Sequence, residues 1–233
     1  HMTQLSLQHG HGETSPFAYV LYAFLLGQLY GQYDAGERWG QHALALARQR
    51  PESAICGNTE FLYAAMLGHW HHPLRDMNDY YSSALQRSQE SGDLVNVGYL
   101  LAVRGSDRIL QGQYLPTLLE LGELDLQRLQ SQGQEDMYDC ARVGSIQPVC
   151  CLMGLSYQPH SLDDESFCEQ TYLQRYQDRP MHLAYYYHSK LMIAALLQAP
   201  DAVTLIGYLP RISAKLAGQF KVVEAGFYGG LIA

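Results

Sequence analysis

Apolar residues recur at three- and four-residue spacing along most of this chain, and no apolar–polar alternation with period two persists for a strand's length. Ser15-Pro16, His72-Pro73, Leu115-Pro116, Arg179-Pro180 and Ala199-Pro200 each stand at the head of such a stretch. Proline suits that place, because the first turn of a helix has no N–H partner to lose. No Asn-Gly or Asp-Gly hairpin signal occurs. The pattern predicts helices over about 16–30, 34–49, 52–70, 73–90, 93–111, 115–131, 135–154, 163–177, 180–198, 200–217 and 219–233.

Short connectors set these helices in pairs. Gly31-Gln32-Tyr33 closes the first hairpin and Gly112-Gln113-Tyr114 the third, two units of roughly 40 residues further on. Ser91-Gly92-Asp93 joins the second pair to the third, with glycine at a helix C-cap and aspartate at the next N-cap. Gly27, Gly31, Gly36 and Gly40 let two helices approach closely. The expected fold is all-α, a right-handed solenoid of about five antiparallel pairs plus a terminal helix. Residues 1–15 are expected to be a cloning remnant and a flexible arm, and 16–233 one repeat domain.

Composition narrows the function. With 47% apolar and 16% charged residues the chain is neither disordered nor a membrane protein, and no apolar run approaches the roughly 18 residues a span needs. A net charge of −8 with only Lys190, Lys215 and Lys221 as lysines argues against a nucleic-acid partner, which demands a basic face. Cys56, Cys140, Cys150, Cys151 and Cys168 are irregularly spaced, which suits reduced thiols and a cytoplasmic protein.

Catalytic chemistry finds little support. Neither a nucleophile elbow nor a phosphate-cradling loop is present, and Gly10-His-Gly12 lacks the third glycine of a dinucleotide fingerprint. Cys150-Cys151 lies beside Val149, Leu152 and Met153, which reads as core. His69, His71 and His72 invite a metal reading, but the helix should not continue into Pro73 and no carboxylate lies nearby in sequence. Asp163-Asp164-Glu165 after Ser161 reads as the start of a helix, with negative charge at its positive dipole end. No enzyme activity, cofactor or metal is expected of this chain.

The run Gly31-Gln-Tyr-Asp-Ala-Gly through Ala43 resembles the second half of a tetratricopeptide repeat. A longer stretch, from His72-Pro73-Leu74 through Tyr80, Ala84, Ser91-Gly92-Asp93-Leu94 and Gly98-Tyr99 to Gly112, resembles the TPR-like region of large bacterial multidomain kinases. Leu152-Met153-Gly154-Leu155, Ser189-Lys190-Leu191 and Gly226-Phe227-Tyr228 are similar to later signatures of that region. In that family a kinase-like domain and a predicted AAA-type ATPase precede the repeats, and GAF and histidine-kinase or other output modules follow. The resemblance implies a non-catalytic scaffold in signal transduction, whose partners are flanking domains of a larger protein and a peptide or protein segment. The apolar end at Phe227-Tyr-Gly-Gly-Leu-Ile-Ala233 is expected to run on into a further module.

In such repeats the first helix of each pair lines a concave surface. Polar residues on those helices therefore become candidates for binding: Asn96, Arg104 and Asp107 on the third pair, Tyr138, Arg142 and Ser145 on the fourth, His182, Tyr186 and Lys190 on the fifth. The competing expectation is that they pair with one another, or with carboxylates on neighbouring helices. A different reading of the whole chain is a small-molecule sensor, like the helical-repeat region of some ATP-dependent transcription activators. An uncharged apolar groove favours the sensor, and a charged, open one favours a peptide.

Overall fold

A computed structural model describes residues 1–200 and 202–233. Among these every regular element is helical. The chain divides into two compact units, His1–Leu100 and Leu101–Ala233, where the sequence pattern suggests one continuous array.

The first unit holds α1 (Met2–His9), α2 (Ser15–Tyr30), α3 (Tyr33–Ala47), α4 (Ala54–Met66), α5 (Met77–Glu90) and the start of α6 (Leu94–Leu110), with 3-10 turns at Gly68–Trp70 and Leu74–Asp76. Gly31 ends α2 at φ 65°, where only glycine is at ease, and the Gln32 N–H reaches back to the Leu26 carbonyl. The chain therefore reverses within two residues and α3 packs against α2. Contact is so close that a Cβ at Gly36 would lie 2.9 Å from the Ala23 carbonyl oxygen. Between α4 and α5, buried Glu60 accepts hydrogen bonds from Ser83 Oγ at 2.8 Å and Arg87 Nε at 3.2 Å. Tyr19, Leu44, Tyr63 and Met77 are fully buried at the centre. Trp39 packs on Tyr19 and Tyr22, and Trp70 on Tyr33 and His69.

The expected N-terminal arm contains α1. Its Thr3 hydroxyl donates to the Ala18 carbonyl at 3.2 Å, and Ser6 Oγ lies 2.8 Å from Ser15 Oγ. Short polar side chains hold this helix, so apolar periodicity gives no sign of it.

The second unit comprises the rest of α6, then α7 (Leu115–Ser131), α8 (Glu135–Ala141), a π-helical turn (Arg142–Ile146), α9 (Gln147–Leu152), α10 (Glu169–Arg175), α11 (Pro180–Leu196), a 3-10 stretch (Ala202–Tyr208), α12 (Leu209–Lys215) and α13 (Lys221–Ile232). Leu129, Leu162, Leu191, Ile193 and Ile212 are fully buried. Tyr185 and His188 of α11 meet Lys221 and Glu224 of α13.

Pro148 accounts for the π turn. Lacking an N–H, it leaves the carbonyls of Val143 and Gly144 without their helical donor, while the Gln147 N–H bonds to Arg142. Two hydroxyls from other helices make good the loss. Ser189 Oγ donates to the Val143 carbonyl at 2.7 Å and Ser106 Oγ to the Gly144 carbonyl at 2.9 Å, both buried.

Two expected helices are shorter than their patterns suggest. The one expected over 163–177 begins at Glu169, because the acidic residues ahead of it bond locally instead. Asp163 Oδ1 accepts the Glu169 N–H at 2.5 Å, and Asp164 Oδ1 accepts the Ser166 N–H at 2.7 Å. The helix expected over 200–217 divides into the 3-10 stretch and α12, with Pro210 in the first turn of the latter; its position 201 lies outside the described residues.

Candidate functional site

Most of the polar residues expected to line a groove have partners inside their own unit. In the first, Asn96 is buried and its Nδ2 donates to Ser88 Oγ at 2.7 Å. In the second, Arg104 grips Asp125 through Nη2 at 2.6 Å and Nε at 3.3 Å. Asp107 is buried with the Lys221 ammonium 3.8 Å away, and Ser145 donates to the Ala141 carbonyl. His182 is buried and stacked on Tyr176 at 3.9 Å between centroids. Lys190 Nζ donates to the His160 carbonyl at 2.7 Å and to Glu169 Oε1 at 3.1 Å, and the Tyr186 hydroxyl donates to the other oxygen of Glu169. Burial alone would raise the Glu169 pKa, but the bonds from Tyr186 and the Leu162 N–H, with the Lys190 charge, outweigh it and hold the carboxyl below its ordinary range. Within the second unit Arg104, Asp107, Ser145, His182, Tyr186 and Lys190 are thus turned towards partners of that unit. A buried polar group left unpaired costs more than a paired one gains, so carbonyls and carboxylates of the same unit draw them inward.

Tyr138 and Arg142 do share a cleft. It measures about 380 Å³ and also takes in Gln134, Glu135, Asp139 and Arg175. Arg142 donates to Ser166 Oγ at 2.5 Å and lies over the Phe167 ring, while Arg175 pairs with Glu135 at 3.1 Å and Asp139 at 3.3 Å. Its charges are largely matched within the cleft. Among the thiols of this unit, burial pushes Cys140 up to about 12 and Cys150 up to about 11, whereas exposed Cys168 is held below its ordinary value by a hydrogen bond with Thr171.

A different surface emerges in the first unit. Phe17 and Leu21 stand one turn apart on α2, Asn58 and Leu62 on α4, and Val95 and Tyr99 on α6. With Phe61 they line an apolar groove of about 280 Å³. Gly92 and Asp93 set the third wall in place. Gly92 ends α5 at φ 71°, and Asp93 Oδ1 caps α6 by accepting the Asn96 N–H at 3.0 Å. Val95 is 67% and Tyr99 46% exposed, and Leu25 carries the α2 stripe one turn further, also exposed. Asn58 Oδ1 is buried there without a hydrogen-bond partner.

The lining of this groove is mostly apolar, and Asp93, the charged residue among it, caps α6. Looking for polar residues on apolar helices misses the groove. The readable signal is α2 itself, whose run from Phe17 to Tyr30 is apolar on nearly every face, more than one core contact requires.

The histidine-rich loop of this unit has acidic partners after all, from more than thirty positions earlier. His71 Nε2 lies 3.0 Å from Asp34 Oδ1, and His72 Nε2 lies 3.0 Å from Glu37 Oε1, which also accepts from the Tyr63 hydroxyl at 2.8 Å. Among the described residues no three His, Cys, Asp or Glu side chains are arranged to hold a metal ion.

No family model, curated protein or solved structure matches the chain.

Proposed function

We propose that the chain is a non-catalytic interaction module of a TPR-like helical repeat, and that the apolar groove of α2, α4 and α6 receives an apolar segment of a protein partner. The observation that carries this reading is the groove's wall of exposed Val95 and Tyr99 beside half-buried Phe17, Leu21 and Leu62, with exposed Leu25 one turn further along α2. Exposed apolar surface of this kind is typical of partner docking, and residues at four-residue spacing on three helices suit the i, i+4 anchors of an amphipathic helix. The antiparallel pairing of α2 with α3 and of α4 with α5 supports the repeat reading. In the larger setting implied by the resemblance, such a module joins an upstream kinase or ATPase to a downstream output domain.

The mostly apolar lining of the groove, where Asp93 is engaged in capping α6, gives the sensor reading its own support, since Arg104, Arg142 and Lys190 are engaged elsewhere. Volume and exposure favour the protein segment. Small-molecule sites run to roughly 300–1,000 Å³ and enclose most of the ligand, whereas here two wall residues stand about half or more in solvent.

Selection of a displayed random-peptide library on the purified chain tests this. Peptides with apolar or aromatic anchors three or four residues apart are expected, and their binding should be lost in Val95→Asp and Leu62→Asp without change in helical dichroism. Peptides that bind these variants as well as the parent would remove the groove from the function. Binding of a small apolar probe in its place, with no peptide selected, would establish the sensor.

A further inference from the structure

In the second unit three arginines converge on one carboxylate. Asp125, buried on α7, is gripped in bidentate fashion by Arg104 of α6. Arg108, one turn further along α6, places Nη1 3.7 Å from Asp125 Oδ2, and Arg128 of α7 places Nη1 3.9 Å from Oδ1. Among the described residues these arginines have no acidic partner within 4 Å other than Asp125. Three positive charges thus face one negative one.

The hydrogen-bond geometry sharpens the imbalance. Arg104 occupies both oxygens of Asp125, and distances of 3.7 and 3.9 Å are too long for Arg108 and Arg128 to bond them. A guanidinium carries five N–H donors, so Arg108 and Arg128 each bring a planar fork to the carboxylate with donors uncommitted to it. Water is a poor substitute partner for the inner part of the cluster, since the side chains of Arg104 and Arg108 are only 12% and 19% exposed. Burial and the neighbouring Arg104 charge together depress the Arg108 pKa, consistent with positive charge in excess. Attraction to the carboxyl end of a helix accounts for one arginine in the last turn of α6 and one in the last turn of α7, but not for their meeting at a carboxylate already occupied. Arg128, half exposed, leaves the cluster open to solvent. In a chain of net charge −8, such a concentration of cations calls for a function.

We infer that Arg104, Arg108 and Arg128 form a binding site for a tetrahedral dianion of the phosphate class, either inorganic phosphate or the monoester of a phosphorylated side chain. Paired guanidinium forks match the oxygens of that group in geometry as well as charge. Asp125 holds Arg104 rigid, and Arg108 and Arg128 supply the free donors. The inference is independent of the apolar groove, whose residues lie in the other unit.

Titration of the full chain with inorganic phosphate, with O-phosphoserine and with chloride, at one ionic strength and followed by NMR, tests it. Both phosphate forms should bind, and chloride should not. Arg108→Ala and Arg128→Ala should each weaken binding by about tenfold to a hundredfold, the worth of one hydrogen bond to a charged group. Arg128→Lys, which keeps the charge and loses the fork, should fall between. Tighter binding of phosphoserine identifies a modified side chain as the source, and tighter binding of inorganic phosphate identifies the free ion. Should Arg108→Ala fail to fold, half-exposed Arg128 decides the matter alone. Equal responses to chloride and phosphate, or unchanged affinity in Arg128→Ala, would overturn the site.

Discussion

At Gly36 the packing of α3 on α2 leaves no room for a methyl group, because the nearest atom is a backbone oxygen that cannot swing aside. Gly36→Ala is expected to destabilise the chain by about 1–3 kcal/mol, the usual cost of overpacking. Gly226 on α13 gives the opposite case. A Cβ there meets nothing within 4 Å, so Gly226→Ala should gain about 0.5–1 kcal/mol through reduced backbone entropy in the unfolded chain. Urea unfolding of the two variants checks both signs together. The sequence spacing of Gly27, Gly36 and Gly40 is enough to anticipate close approach in the first hairpin. It is not enough to say which glycine is indispensable, since that depends on what each one meets: a backbone oxygen of α2 at Gly36, the Tyr33 ring at Gly27 and the Tyr63 ring of α4 at Gly40.

The π turn between α8 and α9 shows what can and cannot be read at the level of an element. Apolar spacing predicts a helix over 135–154, and a helix is there. The proline within it and the hydroxyls that repair it are separated by some forty residues in either direction, so no local pattern announces the turn. Ser189→Ala should cost about 1–3 kcal/mol by leaving the Val143 carbonyl buried and unpaired. Ser106→Ala should cost as much in the parent but distinctly less in a Pro148→Ala background, where a backbone N–H is again available to Gly144. A thermal double-mutant cycle reads that coupling directly, and strict additivity would show that Pro148 is not the cause of the widened turn. The helix expected from Asp163 fails for the reverse reason. Acidic residues suited to a helix start are equally suited to local turns, and here Gln147, Ser166 and the Glu169 N–H claim them.

For the molecule as a whole, acid sensitivity follows from carboxylates held below their ordinary range. Glu37, Asp164 and Glu169 all have lowered pKa values, each because hydrogen bonds to the charged form outweigh its burial. A depressed folded pKa contributes stability that is present above the unfolded value, about 4.3 for glutamate, and is lost as pH falls through the folded one. Glu169→Gln should therefore lower stability at neutral pH and flatten its decline below about pH 4.3, as measured by melting temperature across that range. At this scale the helical class was plain from periodicity and proline placement. The groove was not, because its walls come from three helices that only tertiary packing brings together.

Both tryptophans, Trp39 and Trp70, sit among aromatic rings of the first unit, and the second unit has none. Indole fluorescence is thus a private reporter of one half of the chain, while far-ultraviolet dichroism sums over both. With the chain divided into two compact units, the two signals are expected to trace different denaturation curves. Every midpoint measured on this protein then needs its probe stated beside it.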